Sequence, residues 1–314
     1  MTFWDRFVPV AAARLAWQHL QNVRRAPNTQ VGVPAGRSDS NHDPRPNQPG
    51  VVTIPPAINL YDQLHTLFDA LWTAHPGPRS PLAVTRIRAA TQSTIGGIPT
   101  RIVSRVLPDG KAGTGVAWAG RPIDAGRIVA LYPGTLYGMG DPVLVPSIAN
   151  QYVLRRKDGV LVDGKPRGVS ARVYQMLARR YGPSDAKYPA CDATWLSKSD
   201  DGLRNPLAIG QYINNGTAKF PANVAYVEID LPLATLPLHW YQYVPNAPYA
   251  PHAIITGDDA RYPRLAGPSY DPLSWDMACL DGRDAGTLPL VALVTTRAVV
   301  DGDELLSTYH AVVE

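Results

Sequence analysis

The sequence predicts a mainly β fold of the α+β class, with helices near the N-terminus and short strands in the rest of the chain. Pro (31) and Gly (26) are frequent among the 314 residues, which favours many turns and short strands over long helices. Helical spacing of apolar residues is strongest before residue 76. From about residue 82, short β-branched and aromatic segments bounded by turn residues follow one another.

The N-terminal part, residues 1–80, is predicted to be a helical extension with an internal linker. Residues 3–22 carry apolar side chains at helical spacing, and residues 57–75 carry a second stripe that a Pro-Gly-Pro sequence ends. Residues 26–56 have no apolar period and are rich in Pro, Gly, Asn and Ser, so we expect a flexible linker. Both apolar stripes would otherwise lie in water, so we expect both helices to dock on the main domain.

Residues 81–314 are predicted to form the main, strand-rich domain. The segment YVLRRKDGVLVDG (152–164) has the pattern of a hairpin that turns at Asp158-Gly159. Two long stretches, 165–203 and 232–287, are interpreted as insertions, the first with a short helix from Ser170 to Arg180. The other predicted strands are TRIVSRVL (100–107), GVAWA (115–119), RIVALY (127–132), NVAYVEIDL (223–231) and LPLVALVTTRAVV (288–300). The last is almost continuously apolar, so we expect it to be buried on both faces.

Composition narrows the classes of function. The net charge of +4 neither demands nor excludes an acidic partner. Basic residues are concentrated at 155–180, where they could form a solvated face or a nucleic-acid patch. No aromatic stacking pattern accompanies them, which favours the solvated face. Cys191 and Cys279 form no C-x-x-C pair and the seven histidines are scattered, so we expect a reducing compartment and no metal site.

The location of the protein is predicted to be intracellular, in the nucleus or the cytoplasm. No stretch of about 20 apolar residues exists, so we expect no membrane-spanning helix. The first 25 residues contain four arginines and one acidic residue. A mitochondrial presequence and an amphipathic docking helix both fit that composition.

Common catalytic signatures are absent from the chain, which contains no G-x-S-x-G, no H-E-x-x-H and no Walker A sequence. Gly113-Thr114-Gly115 resembles the start of a dinucleotide-binding sequence. A strand follows it instead of a helix, so the helix N-terminus that would hold a pyrophosphate is missing. Taken alone, this glycine pair is interpreted as a hairpin turn.

Four segments in order identify a family. They are KAGTGVAWAGRPIDAGRIVALYPG (111–134), VLVDG (160–164), NPLAIGQYINNGTAKFPANVAY (205–226) and VVDGDELLSTYH (299–310). Together they resemble the SET domain of protein lysine methyltransferases. One branch of that family is matched more closely, by YPGTLYG, KDGVLVDG, GVSARVY, DATWLS, NPLAIGQYINN and QYVPNAPY. The resemblance implies a β-clip fold of small, mostly antiparallel sheets, in which segments 205–215 and 299–309 lie against each other.

The same resemblance implies a chemistry. SET enzymes move a methyl group from S-adenosylmethionine to the amine of a lysine side chain by in-line displacement. Such a reaction needs orientation and well-placed oxygen dipoles more than a strong acid or base. The expected partner is therefore a protein with an exposed lysine, with histones among the candidates.

Cofactor-binding residues are implied by the resemblance at two places. The glycine turn would let the backbone approach the methionine end of the cofactor. The second segment would hold the adenosine end, although an Asn pair is also typical of a turn that bonds to its own backbone. These residues are Gly113, Thr114 and Gly115 in the turn, and Gln211, Tyr212, Asn214 and Asn215 in the second segment.

Two tyrosines match the family's catalytic positions. Tyr309 would lie beside the sulfonium methyl group, bind the cofactor and orient the lysine amine, because a phenol stays neutral and can donate or accept a hydrogen bond. Tyr132 would line the lysine channel. Half-buried tyrosines on strands are the alternative interpretation for both. Glu304 is interpreted as structural, with a solvated acid after a turn as the alternative.

The chain departs from the usual family pattern near these positions. Asn214-Asn215 replaces Asn-His, extra residues occupy 217–221, and Ser307-Thr308 replaces an aromatic residue followed by Asp. No Cys-x-Cys segment follows Tyr309. A catalytically inactive SET domain that serves as an interaction module is therefore the alternative to the enzyme.

Overall fold

A computed structural model describes residues 59–74, 83–104, 113–138, 141–180, 191–232, 236–249 and 287–308. The predicted helix at 3–22 and the predicted linker at 26–56 lie outside the described residues. Within the described ranges, no helix has the length and apolar character needed to cross a membrane.

The part of the chain that the structure describes combines helices with many short strands, which is compatible with the predicted class. The strands are β1 (Gly97–Val103), β2 (Thr114–Gly120), β3 (Ile128–Leu131), β4 (Gly134–Tyr137), β5 (Val153–Arg155), β6 (Leu161–Asp163), β7 (Asn214–Asn215), β8 (Val224–Pro232), β9 (Asn246–Pro248), β10 (Thr287–Thr295) and β11 (Leu306–Ser307). The helices are α1 (Leu60–Ala74), α2 (Ala83–Ile95), α3 (Leu144–Ser147) and α4 (Gly168–Arg180). Short 3₁₀ turns include Asp200–Gly202, Gly210–Tyr212 and Leu238–Tyr243.

The described strands form four small sheets, with orders β1-β2, β3-β10-β8, β5-β6-β4-β9 and β7-β11. Most neighbouring strands are antiparallel; β4 with β9 and β7 with β11 are parallel. The prediction of several small, mostly antiparallel sheets is therefore confirmed for these residues. β10 lies between β3 and β8, and its residues 288–295 are all buried, as its continuous apolar pattern predicted.

The helix predicted at 57–75 is α1. Its first turn is capped by Asn59, whose Oδ1 accepts hydrogen bonds from the backbone N–H of Tyr61 (3.0 Å) and Asp62 (3.3 Å). Its buried stripe consists of Leu64, Leu67, Phe68 and Leu71. The Trp240 indole donates to Asp69 Oδ1 (3.1 Å), which ties α1 to the 3₁₀ turn at 238–243. The expected docking of this helix is confirmed.

Helix α2 corrects the prediction that strands begin at about residue 82. Its sequence is rich in β-branched residues, which favour strands when read locally. Ile87, Thr91 and Ile95 are spaced four apart and all are buried, so they share one helical face. The Thr91 hydroxyl donates to the Ile87 carbonyl at 2.9 Å, which satisfies its buried polar group inside the helix. Burial against α1 therefore outweighs the local propensity.

The predicted hairpin at 152–164 is present as the antiparallel pair β5–β6. Gly159 has φ of 89°, a left-handed conformation that favours glycine. Asp158 Oδ1 accepts a hydrogen bond from the Val160 N–H at 2.9 Å, which closes the turn. The short helix predicted from Ser170 begins two residues earlier, at Gly168, and ends at Arg180 as predicted.

Arg156 corrects the interpretation of residues 155–180 as a solvated face. Its side chain is only 2% exposed and makes ion pairs with Asp158 and Asp230. Its guanidinium also donates to the Leu290 carbonyl at 2.6 Å and the Ile229 carbonyl at 3.4 Å. This arginine therefore ties the β5–β6 hairpin to strands β8 and β10.

Replacement of Arg156 tests this connection. Arg156→Met keeps the aliphatic stem but leaves two backbone carbonyls without that donor, so we expect a loss of about 1–3 kcal/mol in unfolding free energy. The neighbouring Arg155 is exposed, and Arg155→Met is the matched control, with an expected change within about 0.5 kcal/mol. Urea denaturation measures both. Equal effects of the two substitutions would contradict the structural role of Arg156.

Candidate functional site

The two segments expected to meet do so at a short parallel strand pair. Leu306 lies opposite Asn214 and Ser307 opposite Asn215. The Gly216 N–H donates to the Ser307 carbonyl at 2.8 Å, which continues the contact. The expectation that segments 205–215 and 299–309 lie against each other is confirmed at the paired residues of β7 and β11. Tyr309 lies outside the described residues, so its role stays a prediction.

Asn223 holds this strand pair in place. Its backbone N–H donates to the Leu306 carbonyl at 2.8 Å, and its Oδ1 accepts from the Leu306 N–H at 2.8 Å. Its Nδ2 donates to the Glu304 carbonyl at 2.9 Å. Only 3% of Asn223 is exposed. Sequence reasoning missed this role, because the partners are 81 and more residues away and leave no local pattern.

The glycine turn leads into a strand, as predicted, and lies next to Asn214. The Ser104 N–H donates to the Gly113 carbonyl at 2.8 Å, and Thr114 opens β2 opposite Val103. The Asn214 side chain donates from Nδ2 to the Thr114 carbonyl at 3.0 Å. Members of both predicted cofactor-binding segments therefore touch each other.

Gly115 lies in close contact with Glu304 and Ser104. A Cβ built on it would lie 2.5 Å from Glu304 Oε1 and 3.1 Å from Ser104 Cβ. The Ser104 hydroxyl donates to that same Glu304 oxygen at 2.6 Å. The structural interpretation of Glu304 is confirmed. A contact between Gly115 and a cofactor stays a prediction.

Gln211 has the polar environment most in need of a ligand. It is 4% exposed, and in the described part of the chain neither its Oε1 nor its Nε2 has a hydrogen-bond partner. A buried amide left without partners costs about 1–3 kcal/mol, so such a group calls for water or a polar ligand. The Ser307 hydroxyl, 1% exposed, is likewise without a partner among the described residues. Gln211 belongs to the predicted cofactor-binding segment, and Ser307 lies opposite Asn215 of that segment.

Tyr132 is a buried tyrosine close to Gln211. It is 3% exposed, and its hydroxyl donates to the Tyr152 carbonyl at 2.9 Å. A Cβ built on Gly164 would lie 2.9 Å from Tyr132 Cε1 and 3.2 Å from Gln211 Cβ, so the absence of a side chain there lets the two approach. The Tyr226 ring centroid lies 6.1 Å from that of Tyr132. The predicted place of Tyr132 in a lysine channel stays a prediction.

Tyr212 contacts a residue that sequence reasoning missed. The Arg101 guanidinium carbon lies 5.4 Å from the centroid of its ring. Burial raises the pKa of the Tyr212 hydroxyl, and the Arg101 charge opposes that rise. The phenol is therefore neutral near pH 7. Asn215, the last residue of the predicted set, is exposed at the end of β7.

Cys191 offers no nucleophile. Burial raises the pKa of its thiol to about 12, with the neighbouring Tyr174 hydroxyl acting in the opposite direction. The thiol is therefore protonated at neutral pH, and the thiolate is the reactive form. No group of three or more His, Cys, Asp or Glu residues suited to a metal occurs within the described ranges.

Replacement of Asn223 tests the site's framework. Asn223→Ala removes both side-chain hydrogen bonds and leaves two backbone groups near β11 unpaired, so we expect a loss of about 2–4 kcal/mol in unfolding free energy. Gln92→Ala, at an exposed position of α2, is the control and should change that free energy by less than about 0.5 kcal/mol. Chemical denaturation measures both. A loss no larger than that of the control would mean that Asn223 does not hold the strand pair.

Comparison with known proteins agrees with the branch that the six short motifs predicted. No family model matches the chain. It is 35% identical over 204 residues to SET domain-containing protein 9 of Homo sapiens, and equally to that of Pongo abelii. The matched region is 64% of this chain, and the chain spans only 55% and 60% of the length of those relatives. This identity over 204 residues, together with the meeting of the motif segments at β7 and β11 that the resemblance implies, supports a SET-domain protein.

Proposed function

We propose that this chain is an S-adenosylmethionine-dependent protein lysine N-methyltransferase. Its family supports methyl transfer at the coarse level. The observation that supports the use of S-adenosylmethionine and lysine is the contact of Asn214 with both Thr114 and β11. That contact joins the three segments in which the implied cofactor-binding and catalytic residues lie.

The cofactor would be held by the predicted residues of the glycine turn and of segment 211–215. Gln211 supports this assignment because its buried amide has two polar atoms available for a ligand. When bound, S-adenosylmethionine supplies an electrophilic methyl group. The chain's own task is to bind and orient it, a task for backbone dipoles and amides more than for a strong acid or base.

The proposed substrate is a protein with an exposed lysine, and histones are candidates. The rings of Tyr132 and Tyr226 would form an apolar wall along the lysine side chain. Tyr309, which follows Thr308, would hold the lysine amine with its hydroxyl. A nuclear or cytoplasmic location is part of the same proposal.

The second candidate is a catalytically inactive interaction module. The exposed Asn215, where the family usually has histidine, and the buried Ser307, where it usually has an aromatic residue, favour this candidate. Asn215 and Ser307 lie opposite each other on β7 and β11, and Ser307 precedes Tyr309 by two residues in the sequence. Binding and transfer must therefore be measured separately.

Cofactor binding is the first measurement. A ligand that binds only the folded state stabilises it by about 2.7 kcal/mol at a hundred times its dissociation constant, which raises the melting temperature. We expect this shift for the wild type with S-adenosylmethionine and a much smaller shift for Asn214→Ala at the same concentration. Asn59→Ala is the control, since it weakens the cap of α1 but should leave the cofactor-induced shift intact. A wild type without any shift would favour the inactive module.

Methyl transfer is the second measurement. Tyr309→Phe removes one hydroxyl and almost no volume, so the thermal shift should stay largely intact. The rate of transfer should fall about 100- to 1000-fold, the typical effect of losing one well-placed catalytic hydrogen bond. Transfer from radiolabelled cofactor to histones and other lysine-bearing proteins measures this rate. Equal rates for the variant and the wild type would remove Tyr309 from the proposed mechanism.

A further inference from the structure

We infer that Arg101, clamped by Asp200, is a positioning residue that sets the orientation of Tyr212 and of the cofactor-binding segment around it. This inference rests on the proposed function. It concerns a side chain that belongs to none of the implied motifs.

The backbone of Arg101 is fixed relative to the glycine turn. Arg101 lies on β1 opposite Val116 of β2, and the next pair along the two strands is Ile102 with Gly115. Its position therefore follows that of the strand that the glycine turn opens.

Asp200 binds both the backbone and the side chain of Arg101. One carboxylate oxygen accepts the Arg101 backbone N–H at 2.9 Å, and the other forms an ion pair with the guanidinium Nε. The guanidinium also donates from Nη1 to the Ser197 carbonyl at 3.2 Å. The two charged side chains are only 15% and 13% exposed, so solvent screens their attraction less than at an open surface. These bonds leave the guanidinium little freedom to rotate.

The clamped guanidinium faces Tyr212. Its carbon lies 5.4 Å from the ring centroid, within the range of a cation–π contact. Tyr212 closes the 3₁₀ turn Gly210–Tyr212, and Asn214 follows two residues later at the start of β7. The turn thus presents one side chain, Gln211, to the interior and the next, Tyr212, to Arg101.

A single 3₁₀ turn has little stability of its own, so side-chain contacts set its orientation. Arg101 supplies such a contact and is itself fixed to the glycine turn. The pair Arg101–Tyr212 therefore sets the distance between the two halves of the proposed cofactor site. A lysine would keep the charge at position 101 but lose the planar fork that binds Asp200 and Ser197 together.

The test is a double-mutant cycle on the full-length chain. Calorimetry gives the dissociation constant of S-adenosylmethionine for the wild type, Arg101→Met, Tyr212→Leu and the double variant. We expect each single substitution to weaken binding on the order of tenfold, and the double variant to be no weaker than the worse single one. Arg101→Lys should also bind S-adenosylmethionine more weakly than the wild type does. Arg86→Met, at an exposed position of α2, is the control and should bind like the wild type.

Turnover separates positioning from general structural damage. At saturating cofactor, Arg101→Met and Arg101→Lys should keep kcat within about threefold of the wild type, while KM for the cofactor rises with the dissociation constant. The inference would be overturned if Arg101→Met bound the cofactor as tightly as the wild type. It would also be overturned if the losses of affinity in the two single variants multiplied in the double variant.

Amide hydrogen exchange distinguishes this inference from the proposed function. In the free protein, Arg101→Met should accelerate exchange at residues 212–216 and leave β10 protected. Unchanged exchange at 212–216 would overturn the inference whether or not the wild type binds the cofactor. If the wild type does not bind S-adenosylmethionine but exchange in the variant is accelerated, the proposed function is wrong and the inference about Arg101 stands.

Discussion

The parallel contact between β7 and β11 is the constraint on which the site depends. Each strand has only two residues, and so short a pair cannot be stable by itself. Asn223 stabilises it from the side, by bonding to the backbone of Leu306 and Glu304. Glu304 in turn occupies the space above Gly115. Asn223 and Glu304 together therefore connect β11 to the glycine turn.

Buried polar side chains in the described structure differ in how far their hydrogen bonds are made. Arg156 and Asn223 bond to groups within the chain, and each of them joins separate strands or turns. Gln211 and Ser307 are as deeply buried, yet in the described structure their polar side-chain atoms have no partner. A folded chain tolerates such atoms at a cost, and they are expected where a ligand or water completes the bonding. Both are close to the segments that the family resemblance assigns to the cofactor.

Local patterns predicted most of the strands, because alternation, continuous apolar runs and Asp-Gly turns act over a few residues. The hairpin at Asp158-Gly159 and the buried strand β10 are examples. Helix α2 was missed for the corresponding reason. Its β-branched composition favours a strand locally, and only its packing against α1 makes a helix the better solution. Arg156 was misread because its acidic partner Asp230 is 74 residues away.

The sequence by itself determined the class, the order of the motifs and the resemblance to SET-domain proteins, and it indicated Gly113–Gly115 and Gln211–Asn215 as the segments to examine. Tertiary structure alone decided which polar side chains hold those segments together. Arg101 and Asp200 are 99 residues apart, and Ser104 and Glu304 are 200 residues apart. Contacts between such distant residues follow from the packing of strands and turns, which no periodicity within one segment records. For the same reason Gly115 could be recognised in the sequence as a turn residue, whereas the Glu304 carboxylate that lies against it became visible only in the folded chain.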